Sequence, residues 1–177
     1  MIYTVTSTDT TDYVSGSTAY SLSGTDASLF TINSSTGDVT LTANPNYETK
    51  SSYSFNVVAT DAAGNASSKA VTLAITNVDE IAPAFTSSTI GTAFENQNQL
   101  YTAAANDTVD YTNGTVTYSL KSGTGDVASL NIGSSSGVVT LKSGNLDYET
   151  KSSYSFTVIA ADATGNTREQ AVTITVT

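Results

Sequence analysis

Apolar and polar residues alternate along this chain wherever apolar residues cluster. Residues 53–59 (YSFNVVA) and 71–75 (VTLAI) place an apolar side chain at every second position, and residues 154–158 and 172–176 repeat the pattern. Successive side chains of a β-strand point to opposite faces, so this period of two predicts half-buried strands. No window of useful length carries the 3.6-residue stripe of an amphipathic helix. The pattern predicts an all-β chain.

Turn-forming residues separate the predicted strands. Residues 35–38 (STGD) lie between the apolar positions of 30–32 (FTI) and those of 39–41 (VTL), and residues 135–137 (SSG) occupy the matching place farther along. Ser, Asp and Gly favour tight reversals of the backbone. We therefore predict one β-hairpin at each of these two places.

One long segment of the chain occurs twice. Residues 47–65 (YETKSSYSFNVVATDAAGN) recur as residues 148–166 (YETKSSYSFTVIAADATGN), 101 positions later. That spacing is much longer than a solenoid repeat and fits one β-sandwich domain of the immunoglobulin-like, Greek-key type. We predict two tandem sandwiches over residues 1–76 and 84–177, joined by a linker over residues 77–83.

The two copies differ at their beginnings. Residues 2–4 (IYT) match residues 100–102 (LYT), but residues 83–99 (PAFTSSTIGTAFENQNQ) precede the second match and have no counterpart before the first. The first domain is therefore predicted to lack its opening strand, and an unpaired edge is a template for strand exchange. We expect a segment of a longer array, without a signal peptide of its own, that could form a strand-exchanged dimer.

Composition narrows the possible functions. The chain has no Cys and no His, which removes Ser-His-Asp and Cys-His nucleophiles and Cys/His zinc sites, so we do not expect an enzyme. Asp plus Glu number 16 against 6 Lys plus Arg, a net charge of -10, which disfavours nucleic acid and favours cations. No apolar run approaches the roughly 20 residues that cross a bilayer, so no membrane insertion is expected.

Acidic and amide side chains concentrate at the predicted strand ends and in the linker. In sandwiches whose strands run the length of each domain, these places converge on the junction of the two domains. The residues concerned are Asn46, Glu48, Asn77, Asp79, Glu80, Asp107, Asp110, Asn113 and Asp162.

Several short motifs resemble those of the cadherin repeat, and specifically the cadherin-like repeats of large bacterial surface proteins. Residues 146–149 (LDYE) are similar to the LDRE motif, with residues 46–48 (NYE) a weaker first copy. Residues 77–83 (NVDEIAP) resemble the DxNDNxP linker, and residues 61–64 (DAAG) and 162–165 (DATG) resemble the DxxG turn.

Two further positions carry the resemblance, and three depart from it. Glu95 stands where the family has the glutamate of its opening strand, and Asp107 where its DxD motif begins. Val109 replaces the second aspartate of that motif, and Asn77 and Ile81 replace the leading aspartate and last asparagine of the linker. With these departures we expect one or two calcium ions at the junction, whereas family members are expected to hold up to three.

The resemblance implies a set of calcium ligands. Calcium takes about 6 to 8 oxygen ligands from carboxylates, amides and backbone in a tolerant geometry. The nine residues at strand ends and in the linker would supply the junction. Four others would serve sites toward neighbouring repeats: Asp61, Glu95, Asp147 and Glu149.

The expected function is mechanical. We interpret the chain as a calcium-stiffened extracellular spacer, on the cell surface or secreted, whose partners are adjacent cadherin-like repeats of a bacterial adhesin. Two alternatives stay open: a module that binds carbohydrate or pairs with a like array, and an accessory domain of a secreted polysaccharide-degrading enzyme.

Overall fold

The computed structural model describes residues 1–8, 17–107 and 114–177 and divides into two compact units, Met1–Val78 and Asp79–Thr177. Within those ranges there is no α-helix, and the only helical turns are two short 3₁₀ segments, Ala27–Leu29 and Val127–Ser129. The predicted all-β fold is confirmed.

The first unit is a pair of three-stranded antiparallel sheets, ordered β1-β4-β3 and β2-β5-β6. Its strands are β1 (Tyr3–Thr4), β2 (Ala19–Ser23), β3 (Phe30–Ile32), β4 (Asp38–Leu41), β5 (Ser52–Thr60) and β6 (Ala66–Ala74).

The core of this unit follows the alternation in the sequence. Tyr53, Phe55 and Val57 on β5 are buried, while the residues between them are not. Phe30 packs against both aromatic rings, with ring centroids 5.6 Å from Tyr53 and 4.4 Å from Phe55. The predicted hairpin joins β3 to β4 and pairs Phe30 with Leu41. Apolar side chains thus meet from both sheets, as in a β-sandwich.

The second unit has more strands. They are β7 (Ala84–Phe85), β8 (Ile90–Ala93), β9 (Gln99–Thr102), β10 (Ala105–Asn106), β11 (Thr117–Leu120), β12 (Leu130–Ile132), β13 (Val138–Leu141), β14 (Ser153–Ala161) and β15 (Thr167–Val176). They form the sheets β11-β14-β15-β8 and β12-β13-β9 and the pair β10-β7. Strand β8 runs parallel to β15, whereas every other pairing is antiparallel.

The described residues of the first unit contain no counterpart of β7 or β8, as predicted from the unequal beginnings of the two copies. The inward-facing positions of β15 are at most 2% exposed, but the matching positions of β6 and of the residue that follows it are only partly buried. The buried set is Val172, Ile174 and Val176, and the matching set is Val71, Leu73 and Ile75. Among the described residues, none covers this side of the first core as β8 covers the second.

Candidate metal centre

Three aspartates of the second unit bring their side chains together. Asp79, Asp107 and Asp162 each place a carboxylate oxygen within 4.8 Å of the others, and Asp107 and Asp162 are buried. Asp79 precedes β7 and Asp107 follows β10, and antiparallel pairing of those strands brings the two residues to the same end of the unit. Asp162 directly follows β14. We call these three residues the aspartate cluster.

A tight turn orients Asp162. Its Oδ1 accepts hydrogen bonds from the backbone N–H groups of Thr164, Gly165 and Asn166, at 2.9, 2.7 and 2.9 Å. The turn needs a residue with positive φ, which Gly165 supplies at 100°. The second oxygen, Oδ2, is buried and has no hydrogen-bond partner among the described residues. One oxygen therefore serves the fold and the other remains available to a ligand.

Asn166 connects the turn to Asp79. Its Nδ2 donates to the Asp79 backbone oxygen at 2.8 Å and lies 3.5 Å from Asp79 Oδ1. The counterpart in the first unit, Asn65, donates its Nδ2 to Asp61 Oδ2 at 2.8 Å. In the first unit the asparagine of the turn therefore hydrogen-bonds the aspartate of the same turn. In the second unit it bonds Asp79 instead, and Asp162 Oδ2 is left without a hydrogen-bond partner among the described residues. Asn166 was missed by the sequence analysis, although the Gly-Asn ending of both turns was an available signal.

The cluster concentrates negative charge. Burial, with the charges of Asp79 and Asp162, raises the pKa of Asp107. Burial also acts to raise the pKa of Asp162, but the hydrogen bonds from Thr164 and Asn166 outweigh it and the net shift is downward. In the described part of the chain, three ion pairs join Lys50 to Asp26, Lys121 to Glu169 and Lys151 to Asp126 without involving a cluster aspartate.

The oxygen atoms of the aspartate cluster are suitable ligands for calcium. The cluster offers hard carboxylate oxygens, which calcium prefers, and an orphaned buried oxygen at Asp162. Three carboxylates supply fewer than the roughly 6 to 8 oxygens that the ion takes, so a complete site needs further ligands.

The other predicted junction ligands are distributed as follows. Asp110 and Asn113 lie outside the described residues. Glu80 is exposed and is not one of the three clustered residues. Asn46, Glu48 and Asn77 belong to the first unit, where Asn46 Oδ1 accepts from the Thr49 N–H at 2.8 Å and Glu48 is exposed. Their part in a calcium site stays a prediction.

A second acidic group lies at the opposite end of the second unit. Glu95, Asp147 and Glu149 have carboxylate oxygens within 4.8 Å of one another, and all three are exposed. The second group lies at the C-terminal end of β15, because the Glu95 N–H donates to the backbone oxygen of Thr177, just past that strand. The aspartate cluster lies at the other end, because Asp162 precedes the start of β15. A ten-residue strand spans roughly 33 Å, so the two groups are well separated.

The remaining predicted residues engage their own turns. Asp147 accepts hydrogen bonds from the Thr150 hydroxyl and N–H at 2.8 and 3.2 Å, which lower its pKa. Asp61 accepts from Asn65 and Ala63, and its pKa is also lowered, chiefly by the Asn65 side chain.

Comparison with known proteins covers nearly the whole chain. The family model described as Cadherin domain matches residues 1–78 and 92–177. Protocadherin Fat 4 of Mus musculus is 32% identical over 167 residues, 90% of this chain, and the Homo sapiens protein gives the same values. The chain spans about 3% of the length of these relatives.

Solved structures show the same fold. The crystal structure of human Protocadherin-24 EC1-2 superposes with a TM-score of 0.65 at 23% identity, covering 92% of this chain and 82% of that one. Mouse Cadherin-23 EC22-24 gives 0.64 at 25% identity, with 96% and 56% covered. Over the described residues, no helix has the length and apolar character needed to cross a membrane.

Proposed function

The chain belongs to the cadherin domain family, and from that membership we propose that it is a calcium-dependent extracellular spacer within a longer array of repeats. Cadherin domains are adhesion modules, and no enzyme family is indicated. A spacer of this kind holds a distal binding module away from a surface. Its partners are the repeats on either side of it.

One observation carries the calcium proposal. Asp162 Oδ2 is buried and orphaned beside two other carboxylates, while Oδ1 of the same residue holds its turn together. A buried acceptor without a partner is costly, and neighbouring like charges add to that cost. The arrangement is stabilised when a cation joins the three carboxylates.

The proposed mechanism uses charge neutralisation. Bound calcium supplies positive charge and a set of coordination bonds shared among several residues. The aspartate cluster provides three of those ligands, and we propose that Asn46, Glu48 and Asn77 of the first unit complete them. Ligands contributed by both units would convert a flexible connection into a stiff one.

We propose further that the parent protein is a large bacterial surface or secreted adhesin. The close recurrence of residues 47–65 as residues 148–166 supports an array of similar repeats. The net charge of -10 and the absence of Cys suit a calcium-rich exterior in which metal, rather than disulfides, provides the stiffening. Recognition of a carbohydrate or of a like array is the alternative, which saturable binding to a defined glycan would favour.

Asp162→Asn tests the calcium site directly. The substitution keeps Oδ1 as the acceptor for the turn and replaces only the orphaned oxygen, so the second unit should fold while calcium affinity falls about tenfold or more. Isothermal titration calorimetry measures the affinity. The matched control is Asp61→Asn, in the corresponding turn of the first unit, because Asp61 belongs to neither of the acidic groups found among the described residues. Equal affinities for wild type and Asp162→Asn would contradict the proposed site.

The spacer mechanism has its own test. Small-angle scattering of the 177-residue chain in EDTA and then in millimolar calcium should show a longer, narrower particle with calcium. If calcium bound tightly but the scattering did not change, the proposal of calcium-induced stiffening would be wrong, whereas the proposed calcium site would still stand.

A further inference from the structure

The tripeptide Asn-x-Ser/Thr, in which x is not proline, occurs four times in this chain, at Asn33, Asn65, Asn106 and Asn113. It is the acceptor sequence for attachment of a sugar to the asparagine side-chain nitrogen. The transferring enzyme must recognise both the amide and the hydroxyl two residues later. Only the tripeptides at 33–35 and 65–67 lie entirely within the described residues, so these two can be compared.

Asn33 directly follows β3 and begins the hairpin turn to β4, and its whole tripeptide is exposed. Its Oδ1 accepts hydrogen bonds from the backbone N–H groups of Ser35 and Thr36, at 2.9 and 3.1 Å. Its Nδ2 has no hydrogen-bond partner among the described residues. The amide oxygen therefore shapes the turn, whereas the amide nitrogen is available for modification.

The turn also brings the two recognised groups together. The bond from the Ser35 N–H to Asn33 Oδ1 holds the serine next to the amide. In an extended strand, residues two apart are separated by roughly 7 Å along the backbone. The hairpin therefore presents the tripeptide in a folded-back form that an extended strand does not offer.

The second tripeptide is exposed as well, but its amide is already engaged. Asn65 Nδ2 donates to the Asp61 carboxylate at 2.8 Å, and the Asn65 N–H donates to the same carboxylate at 2.8 Å. Residues 66–67 belong to β6 and are extended. Modification of Asn65 would have to break a hydrogen bond to a charged group, which is among the stronger ones in proteins.

The hairpin itself does not require an asparagine. Gly133 occupies the equivalent place after β12, and its N–H bonds to Val138 O at 2.9 Å, as the Asn33 N–H does to Asp38 O. Both copies thus close the same turn with different residues. The need to close the turn does not explain why the first unit has an asparagine here.

We propose that Asn33 is an N-glycosylation site whose substrate is a sugar carried on a diphosphate, linked either to a nucleotide or to a lipid. The Asn33 Nδ2 forms a bond to the anomeric carbon, the bond from that carbon to the diphosphate oxygen breaks, and the diphosphate leaves with the electron pair. One Nδ2 proton passes to a base of the transferring enzyme. Oδ1 is retained, so the turn survives the modification. This inference goes beyond the spacer function and uses no residue of the aspartate cluster.

The experiment uses the full 177-residue chain, folded and unmodified, purified from cells that lack N-glycosylation. One sample receives UDP-glucose and a soluble N-glycosyltransferase, and another receives a lipid-diphosphate oligosaccharide and an oligosaccharyltransferase. Peptide mapping by mass spectrometry measures the rate at each asparagine. We expect Asn33 to be modified about tenfold or more faster than Asn65, because only Asn65 must first lose a bond to a carboxylate. The sample that reacts identifies the type of donor.

Two neighbouring serines supply matched variants. Ser35→Ala removes the recognised hydroxyl but keeps the backbone N–H that bonds to Asn33 Oδ1, so the turn should persist while modification of Asn33 is lost. Ser35→Thr should restore modification. Ser34→Ala changes only the middle residue of the tripeptide and should react as the wild type does.

Two synthetic peptides separate the effect of the fold from that of the sequence. They span residues 28–40 (SLFTINSSTGDVT) and 60–72 (TDAAGNASSKAVT). Removed from the fold, the two asparagines should react at similar rates. If the peptides differed as much as the two sites of the folded chain do, the structural argument would be wrong.

Three further results would overturn the proposal. One is the absence of sugar on Asn33 of the folded chain with either donor. Another is an equal rate at Asn33 and Asn65 of the folded chain. The third is unchanged modification of Asn33 in the Ser35→Ala variant.

Discussion

At the residue scale, Asp61 and Asp162 show how one motif acquires two roles. Both follow a long strand, and both accept backbone hydrogen bonds within a turn that ends in Gly-Asn. In the first unit the asparagine amide returns to Asp61, whereas in the second it bonds to Asp79. In the first unit the turn's own asparagine hydrogen-bonds the Asp61 carboxylate. In the second, Asp79 takes that asparagine, and an oxygen of Asp162 is left available as a metal ligand.

Asp107→Asn should have opposite effects with and without calcium. The raised pKa of Asp107 means that the fold disfavours its charge, because of burial and the neighbouring carboxylates. Removing that charge should raise the melting temperature in EDTA at neutral pH. In millimolar calcium the variant should melt below the wild type, because a ligand has been lost. Calorimetric scans under both conditions check this, and a variant that melts lower in EDTA as well would refute the charge-repulsion argument.

Asp26 should make the first unit sensitive to acid. The Ser54 N–H bond to Asp26 Oδ2, at 2.7 Å, and the Lys50 ammonium hold the pKa of Asp26 below its ordinary value of 3.8. A lowered folded pKa gives stability that is present above the ordinary pKa and is lost as pH falls through the folded value.

Hydrogen exchange at Ser54 from pH 6 down to pH 2.5, corrected for the intrinsic pH dependence of exchange, measures this loss. Asp26→Asn should flatten the dependence. Asp38 and Asp61, whose pKa values are also lowered, should leave a residual slope. An unaltered dependence in the variant would assign the acid sensitivity to those other residues.

At the element scale, the hairpins depend on glycine where the backbone enters the left-handed region. Gly137 has φ of 67° between β12 and β13, and a Cβ there would collide with the backbone oxygen of Ala103. Gly144 has a similar φ of 74° but faces open space. Alanine substitutions at these two glycines therefore separate the free-energy cost of a left-handed dihedral angle from that of the steric collision.

Gly144→Ala should lower the free energy of unfolding by about 1 kcal/mol, the cost of a left-handed alanine. Gly137→Ala should lower it by roughly 1 to 3 kcal/mol more, because the backbone at Ala103, between β9 and β10, must also move. Urea denaturation of the two variants supplies the comparison. Equal losses would show that the structure near Ala103 relaxes without cost.

At the scale of the whole molecule, the two units differ in the size of their cores. Over the described residues, 14 apolar side chains are buried in the second unit and 6 in the first. The difference follows from β7 and β8, which cover the second core and have no counterpart among the described residues of the first.

Thermal unfolding in EDTA should therefore proceed in two steps, with the first unit melting first because it buries less apolar surface. Hydrogen exchange during the melt assigns each step, using Phe55 for the first unit and its counterpart Phe156 for the second. If Phe156 lost protection first, repulsion within the aspartate cluster would outweigh the larger core.

The sequence alone determined the all-β class, the tandem repeat, both hairpins and the unequal beginnings of the two copies, because these depend on local periodicity, turn residues and similarity between copies. It also supplied Asp79, Asp107 and Asp162 as candidates. The bond between Asn166 and Asp79 spans 87 positions, and the open oxygen of Asp162 depends on it. Only the tertiary structure decided these features, because strand pairing brings distant residues together and burial then determines which polar atoms lack a partner.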